Sequence, residues 1–375
     1  MDPSCVSCPN LACLTKGVVG ADTVRIHARA QGRYRCRTCR RTFAATTNTL
    51  HHLEATMMLV LTLLVHGCPT GAIVAAFGLD ERTVRAWLHK AGAHAALLHD
   101  QMTVGVQARQ VQADEIRVCV RGGAVWAAIA LDVGSRLWLA TAVARRRDGL
   151  LIPLLLRRTL AALADRAFLL AVDGFASYVG AARSLIRVPE RAGCRGRPRL
   201  VWPRGFALAQ VVKAGLHQGE GIMRHIVVGT QDTVAAALAA SHGGTTINTA
   251  YVERLNATLR ERLAPLVRRR RAPAQDTALV EGGLHLLRLA YNWCWTHESL
   301  RLRAIRAGHR WIERTPTMAA GLTTCTAGLA DLLRLPVHPV PLTAPRTPRR
   351  GRLSGRGRVI PFPSPSSAPP KRSAA

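Results

Sequence analysis

Lysine is scarce in this chain. Only Lys16, Lys90, Lys213 and Lys371 occur among 375 residues. Acids are scarce too, 22 against 52 lysines and arginines, so arginine carries nearly all of a formal net charge of +30. A balance that lopsided says nothing about fold but speaks of partners: nucleic acid first, an anionic membrane surface second. A GC-rich coding bias also raises arginine, so the argument rests on the charge and not on the choice of arginine. Long apolar runs are missing. The longest, MMLVLTLLV at 57–65, falls well short of the ~20 residues a bilayer requires and stops at His66, Gly67 and Pro69. A buried helix accounts for it, and no membrane span is expected. The opening MDPSCVSCPN has neither a basic start nor an apolar stretch, so no secretory leader is expected. The ten cysteines are then expected in a reducing cytoplasm, where metal binding or burial is favoured over disulfides.

What is present is enough for a substantial core, since 48% of residues are hydrophobic, and the length suits two or three modules. Residues 1–45 are cysteine-rich, 50–100 carry helical patterning, and 108–300 alternate strand-like and helix-like runs. The stretch 336–375, rich in Pro, Arg, Ser and Gly, cannot bury enough apolar surface to order itself and is expected to be a disordered basic tail. Within the large middle piece, runs at 109–120, 124–133 and 136–144 are separated by Gly-Gly and Gly-Ser turns and predict three sequential antiparallel strands. Helical patterning at 150–166, a short buried strand at 167–174 ending in Asp173, and helical patterning at 175–186 follow. That order predicts an α/β fold. The stretch 188–245 is loosely patterned, with ALAQVVKAG and RHIVVGT readable as strands or as loops. Helices are expected at 249–263 and 280–300.

Cys5 and Cys8 form one CxxC, and Cys36 and Cys39, in YRCRTCRRTF, form another. Two such pairs predict a closed, structural Zn²⁺ site of four thiolates in a ribbon of short strands. Cys13 is an alternative ligand whose spacing fits less well. Arg33, Arg35, Arg37, Arg40 and Arg41 around the second pair suit phosphate contacts. Cys68, Cys119, Cys194, Cys294 and Cys325 lack paired spacing and are expected in the core. In PTGAIVAAFGLDERTVRAWLHKAG, at 69–92, a short apolar helix, a turn at Gly78 and a second helix capped by Asp80 predict a helix-turn-helix, with Arg82 and Arg85 facing DNA. A plain helical hairpin has the same pattern.

With so few acids, their positions are informative. Asp114 lies inside a strand-like run, with Glu115 equally eligible. Asp173 ends a buried strand, and Glu253 opens the helix at 249–263, on one face with Asn256 and Arg260. Structural roles are open to each: an arginine pair for Asp114, the cap of a following helix for Asp173, Arg254 or Arg260 as partner for Glu253. Two bare carboxylates about 4 Å apart repel by roughly 4 kcal/mol at an effective dielectric near 20. A divalent cation between them reverses that sign, which is the arrangement metal-assisted phosphoryl transfer uses.

Cysteine ribbon, helix-turn-helix pattern and the series Asp114, Asp173, Glu253 together resemble bacterial insertion-sequence transposases of the DDE class, over roughly residues 1–300. YRCRTCRRTF, AVDGFASY and NTAYVERLNATLRER are the most specific parts. The resemblance implies an RNase H-like core with Asp114 on its first strand and Asp173 on its fourth. It implies catalysis by Asp114, Asp173 and Glu253 with Mg²⁺ (or Mn²⁺). Arg260 stands seven residues after Glu253, where the family has a DNA-contacting basic residue. Asn256 matches an amide one helical turn after the glutamate and is expected to orient it or to touch the DNA backbone. The implied partners are double-stranded DNA, as element ends and target, and further copies of the chain on that DNA, near the nucleoid; no membrane partner is implied. A non-catalytic DNA-binding regulator of the same derivation is the competing expectation.

Overall fold

The computed structural model describes residues 22–44, 55–147, 149–191, 198–213, 221–263, 276–304 and 310–335, with 6–10, 13–15, Pro3, Ala274 and Val337. By its contacts the chain divides into Met1–Val340 and Pro341–Ala375, and every described residue belongs to the first unit. The expected tail at 336–375 thus lies, Val337 apart, outside the described residues. So do Cys5 and Cys194.

The fold is mixed α/β. Its centre is a six-stranded sheet in the order β11-β10-β7-β4-β5-β6. The expected strands at 109–120, 124–133 and 136–144 are β4 (Gln110–Val120), β5 (Gly123–Asp132) and β6 (Trp138–Ala144), an antiparallel meander. Gly122 and Gly123, with φ of 81° and 147°, make the first turn, a conformation closed to most side chains. After α4 (Leu151–Ala162) the chain returns as β7 (Leu169–Asp173), parallel to β4 on its other side. Following α5 (Ala176–Leu185) and a small hairpin of β8 (Val188–Glu190) and β9 (Arg199–Val201), β10 (Ala207–Lys213) adds parallel to β7. β11 (Ile222–Val228) then pairs antiparallel with β10 and forms the edge. The segments left open as strands or loops are therefore strands, and β11 escapes clear patterning because its side chains are largely exposed.

Helices cover both faces. α4 and α5 close one face over alternate residues of β4, including Val111 and Ala113. α6 (Gln231–Ser241), α7 (Ala250–Arg262) and α8 (Thr277–Trp293) lie against the other, α7 where 249–263 was expected. Among the described residues, no helix is long and apolar enough to cross a membrane.

Ahead of the sheet, β1 (Val24–Ala28), β2 (Arg33–Cys36) and β3 (Thr42–Ala44) form a small antiparallel sheet; short strands were expected between the cysteine pairs, where β1 and β2 lie, and β3 follows the second pair. α1 (Ala55–Val65), α2 (Thr70–Phe77) and α3 (Glu81–Met102) share an apolar centre at Val60, Ile73 and Val84. α3 runs 22 residues, beyond the expected end near Gly92, because its second half lies along α8. The helices cross at Gly92 and Gly282, where a Cβ on Gly92 would run into the Gly282 backbone. Beyond α8 come four short elements with no local signal strong enough to anticipate: a hairpin of β12 (Leu302–Arg303) and β13 (Trp311–Ile312), then α9 (Pro316–Ala319) and α10 (Leu329–Arg334), the last against α3 and α8.

Gly92→Ala is expected to lower unfolding free energy by about 1–3 kcal/mol through overpacking at that crossing. Gly180→Ala, in α5 with open space around it, should instead raise it by about 0.5–1 kcal/mol. Chemical denaturation of both variants measures the contrast.

Candidate metal centres

The first centre is made of thiols. Cys8, Cys13, Cys36 and Cys39 bring their sulfurs within 4.8 Å of one another, a group that can hold a metal ion. Cys8 Sγ lies 3.5 Å from Cys39 Sγ, and Cys13 Sγ lies 3.7 Å from Cys36 Sγ. The expected set included Cys5, which lies outside the described residues; the described cluster contains Cys13, the alternative ligand. The reason is geometric. Cys13 is buried beside Cys36, which ends β2, and the Tyr34–Phe43 ring pair closes the same small core. Burial raises the Cys36 thiol, but hydrogen bonds from the backbone of Cys39 and Thr38 and from the Thr15 hydroxyl outweigh it and bring it down to about 6. Cys8, more deeply desolvated, is pushed up. The other cysteines do not form the expected core: Cys68 and Cys294 are half-buried, while Cys119 and Cys325 are exposed. Cys119 follows from strand alternation, since β4 turns positions 117 and 119 outward.

The second centre is acidic. β4 and β7 run parallel with Ala113 opposite Val172, so the next positions, Asp114 and Asp173, are neighbours. Carboxylate oxygens of Asp114, Glu115 and Asp173 lie within 4.8 Å of one another, a second group that can hold a metal ion. Asp173 Oδ1 accepts from the Phe175 N–H at 3.0 Å, so it also caps the turn into α5. Its Oδ2 accepts from Arg147 Nη2 at 2.8 Å. The same guanidinium donates to Glu115 Oε2 at 2.7 and 3.0 Å and lies over the Phe175 ring. Arg147 thus bridges two of the acids; nothing in its local sequence distinguishes it from the other arginines. Glu115's side chain is buried, and the Tyr178 hydroxyl beside it partly offsets the effect of burial on its carboxyl. Desolvation raises the Glu115 and Asp114 carboxyls, and for Asp114 the charges of Asp173 and Glu253 add to the rise. The Tyr178 hydroxyl, fully buried and pushed well up by burial and by Glu115, faces the cluster from α5.

Glu253 is not within the 4.8 Å group. It is exposed on the first turn of α7, where Oε1 accepts from the Thr249 hydroxyl at 2.9 Å. It is near enough to act on Asp114 through space, as the raised Asp114 carboxyl records. Asn256 departs from expectation in partner as well as exposure. Only 2% exposed, it donates through Nδ2 to Asp114 Oδ2 at 2.6 Å, so it orients the aspartate and is closed to a DNA backbone. One turn separates Asn256 from Glu253, and β4 approaches α7 at the asparagine. Arg260 is half-buried on the same helix. Of the residues expected to face DNA from α3, Arg82 is exposed, while Arg85 is half-buried and lies 3.8 Å from Glu81.

One positioning residue escaped sequence reasoning altogether. Gln112 lies on the same face of β4 as Asp114 and is fully buried. Its Oε1 accepts from the N–H groups of Tyr251 and Val252 at 2.9 and 3.0 Å, two of the four N–H groups that the first turn of a helix leaves unpaired. Its Nε2 donates to the Asn248 carbonyl at 2.8 Å. The strand of Asp114 thereby caps the helix of Glu253 and Asn256.

No protein-family model and no curated protein matches the chain.

An acid whose folded-state pKa is raised contributes stability when protonated, and that contribution is lost as pH rises through the carboxylate range. Asp114→Asn is therefore expected to raise unfolding free energy at pH 7 by on the order of 1 kcal/mol. The gain should vanish as pH falls through the carboxylate range. Millimolar Mg²⁺ should raise the thermal midpoint of the unaltered protein and not of the variant; calorimetry against pH and Mg²⁺ checks both.

Proposed function

We propose that the protein is a DNA transposase of the DDE class, acting by metal-dependent phosphoryl transfer on the ends of its own mobile element. The observation that carries this reading is the convergence of Asp114 and Asp173 from adjacent parallel strands inside a chain of net charge +30. A three-strand meander followed through a helix by a parallel fourth strand, with Asp114 on the first and Asp173 on the fourth, is the order an RNase H-like core calls for.

The donor set fits a hard cation: carboxylate oxygens only, from Asp114, Glu115 and Asp173. Asp114 and Asp173 would hold Mg²⁺ or Mn²⁺, and Glu253, now bonded to the Thr249 hydroxyl, would be the further carboxylate available to it. Such an ion, when bound, supplies activation of a water or a 3′-hydroxyl and neutralises charge at the leaving oxygen. The chain's own residues prepare the site. Asn256 holds one Asp114 oxygen in a fixed direction, and the Glu115 N–H holds the other at 2.8 Å. Arg147 neutralises the excess negative charge. Arg260 contacts DNA phosphate beside the acids. Cleavage at an element end frees a 3′-hydroxyl, which then attacks a target phosphodiester directly, so the chain supplies no covalent nucleophile. Pairing two ends requires at least two copies of the chain.

The thiol centre suits Zn²⁺. With Zn–S near 2.3 Å, a tetrahedral site has S···S edges of roughly 3.8 Å, close to the 3.5 and 3.7 Å found. Zinc would stabilise the small sheet β1–β3 as a ribbon, whose own core is only a handful of residues. The α2–α3 pair supports a helix-turn-helix: Gly78 ends α2 with φ 62°, Asp80 caps α3 by accepting from Arg82 N–H, and Arg82 is exposed.

The competing reading, a DNA-binding regulator without catalysis, draws on Arg147 engaging two acids and on Glu253 turned to Thr249. A nicking assay on end-containing DNA with Mg²⁺ or Mn²⁺ separates the two; binding without nicking favours the regulator. Asp173→Asn is expected to abolish strand joining and leave end binding intact, and unchanged joining overturns the mechanism. Cys13→Ser should lower bound zinc, measured by elemental analysis, from one per chain to less than about a tenth, with loss of the β1–β3 sheet by circular dichroism.

A further inference from the structure

A groove of about 960 Å³ runs along the other flank of α7, bounded by the β5–β6 turn and the segment after α8. Arg254, Thr258 and Arg262 line it from α7 at four-residue spacing, one stripe round from Glu253. Arg136 enters from the β5–β6 turn, with its guanidinium 4.0 Å from the centre of the Tyr251 ring. Two features set Arg136 apart: its backbone sits at φ 60°, uncommon for a residue with a side chain, and its Nη1 is buried with no hydrogen-bond partner. Arg136 and Arg254 line the groove together with Tyr291 and His297. Trp295 is half-buried, 5.3 Å from the Arg262 guanidinium and 5.4 Å from the His66 ring. Glu298 is the acid of the lining, and Arg301 engages it at 3.1 Å. Among the described residues, no ion pair within 4.0 Å involves Arg136, Arg254 or Arg262.

We propose that this groove binds an unpaired strand of DNA, its phosphates on Arg136, Arg254 and Arg262 and a base stacked against Trp295. Interleaved guanidinium groups and aromatic rings are the chemistry of single-strand sites, where rings stack on bases of any sequence. A purely duplex-tracking surface needs the cations without the rings. The proposal rests on the reading that the chain handles DNA, and it adds that a strand leaving the acid cluster is held single along α7.

The test uses the full chain without added Mg²⁺ and a fluorescent oligothymidylate, a blunt duplex of generic sequence and anionic phosphatidylserine vesicles as probes. Trp295→Ala is expected to weaken single-strand binding by about 5- to 150-fold, the range of one lost stacking contact. Trp295→Phe should recover most of it. Joint replacement Arg254→Gln and Arg262→Gln should lower the log–log salt slope for the single strand by about 1.4, at about 0.7 per phosphate, with duplex affinity held within about twofold. Thermal unfolding of each variant confirms that it folds. Single-strand affinity unchanged in these folded variants, equal losses on single strand and duplex, or stronger loss on vesicles overturns the proposal. Metal-dependent nicking by the unaltered protein separates the two readings. Single-strand binding preserved in a protein that never nicks DNA sinks the transposase reading and leaves the groove. Nicking with no groove-dependent binding does the reverse.

Discussion

Hydrophobic burial has no direction. It presses α6 and α7 onto the sheet but cannot decide where along β4 they stop or how they rotate. A row of polar side chains on one face of β4 makes that decision. Gln110 accepts from the Ser241 hydroxyl at the end of α6, Gln112 caps the start of α7, and Asp114 accepts from Asn256 one turn further along. Both glutamines are fully buried, and a buried amide left unpaired costs about 1–3 kcal/mol. Any slide of α7 by a residue breaks several of these bonds together. The acid cluster is fixed in place by the same row, because Asp114 is its third member.

That placement concentrates negative charge where little water reaches it. Burial and mutual repulsion raise the Asp114 carboxyl, and Arg147 offsets part of the repulsion between Glu115 and Asp173. Acids are rare in the chain and arginine is abundant, yet three acids gather at one sheet end. A purely structural role would be served more cheaply by one acid and one arginine. On the proposed reading a cation site explains the surplus, and Arg147 and the Thr249 hydroxyl are the contacts that would yield to it. The neighbouring stripe of α7 presents arginines instead of acids.

Much of this was legible in the residues. The meander β4–β5–β6 could be read because apolar runs of strand length are punctuated by Gly-Gly and Gly-Ser. Asp114 inside a strand-like run and Asp173 at the end of a buried strand stood out because acids are rare in so basic a chain. α7 was readable from its spacing, with bounds that agree to within a residue at each end. Other parts were not. Gln112 acts on backbone groups 139 and 140 positions away, so no local pattern marks it. Arg147 is one arginine among many, chosen only by the packing that brings the segment after β6 to Glu115 and Asp173. Cys13 was demoted because the CxxC template favours a partner three residues from Cys8, whereas the fold folds Cys13 back onto Cys36. Asn256 was placed on the correct face but given the wrong partner, since helical spacing shows which side chains are neighbours on a helix and not which strand lies beneath.

The central claim is that Asp114 and Asp173 share a divalent cation. Crystals grown with Mn²⁺ and measured at its absorption edge test it most directly. The account predicts an anomalous peak at coordination distance from both carboxylates, with Arg147 withdrawn from Asp173 and Glu253 turned from Thr249 toward the ion. Saturating Mn²⁺ with no peak there, and Arg147 still bonded to Asp173 and Glu115, would contradict it.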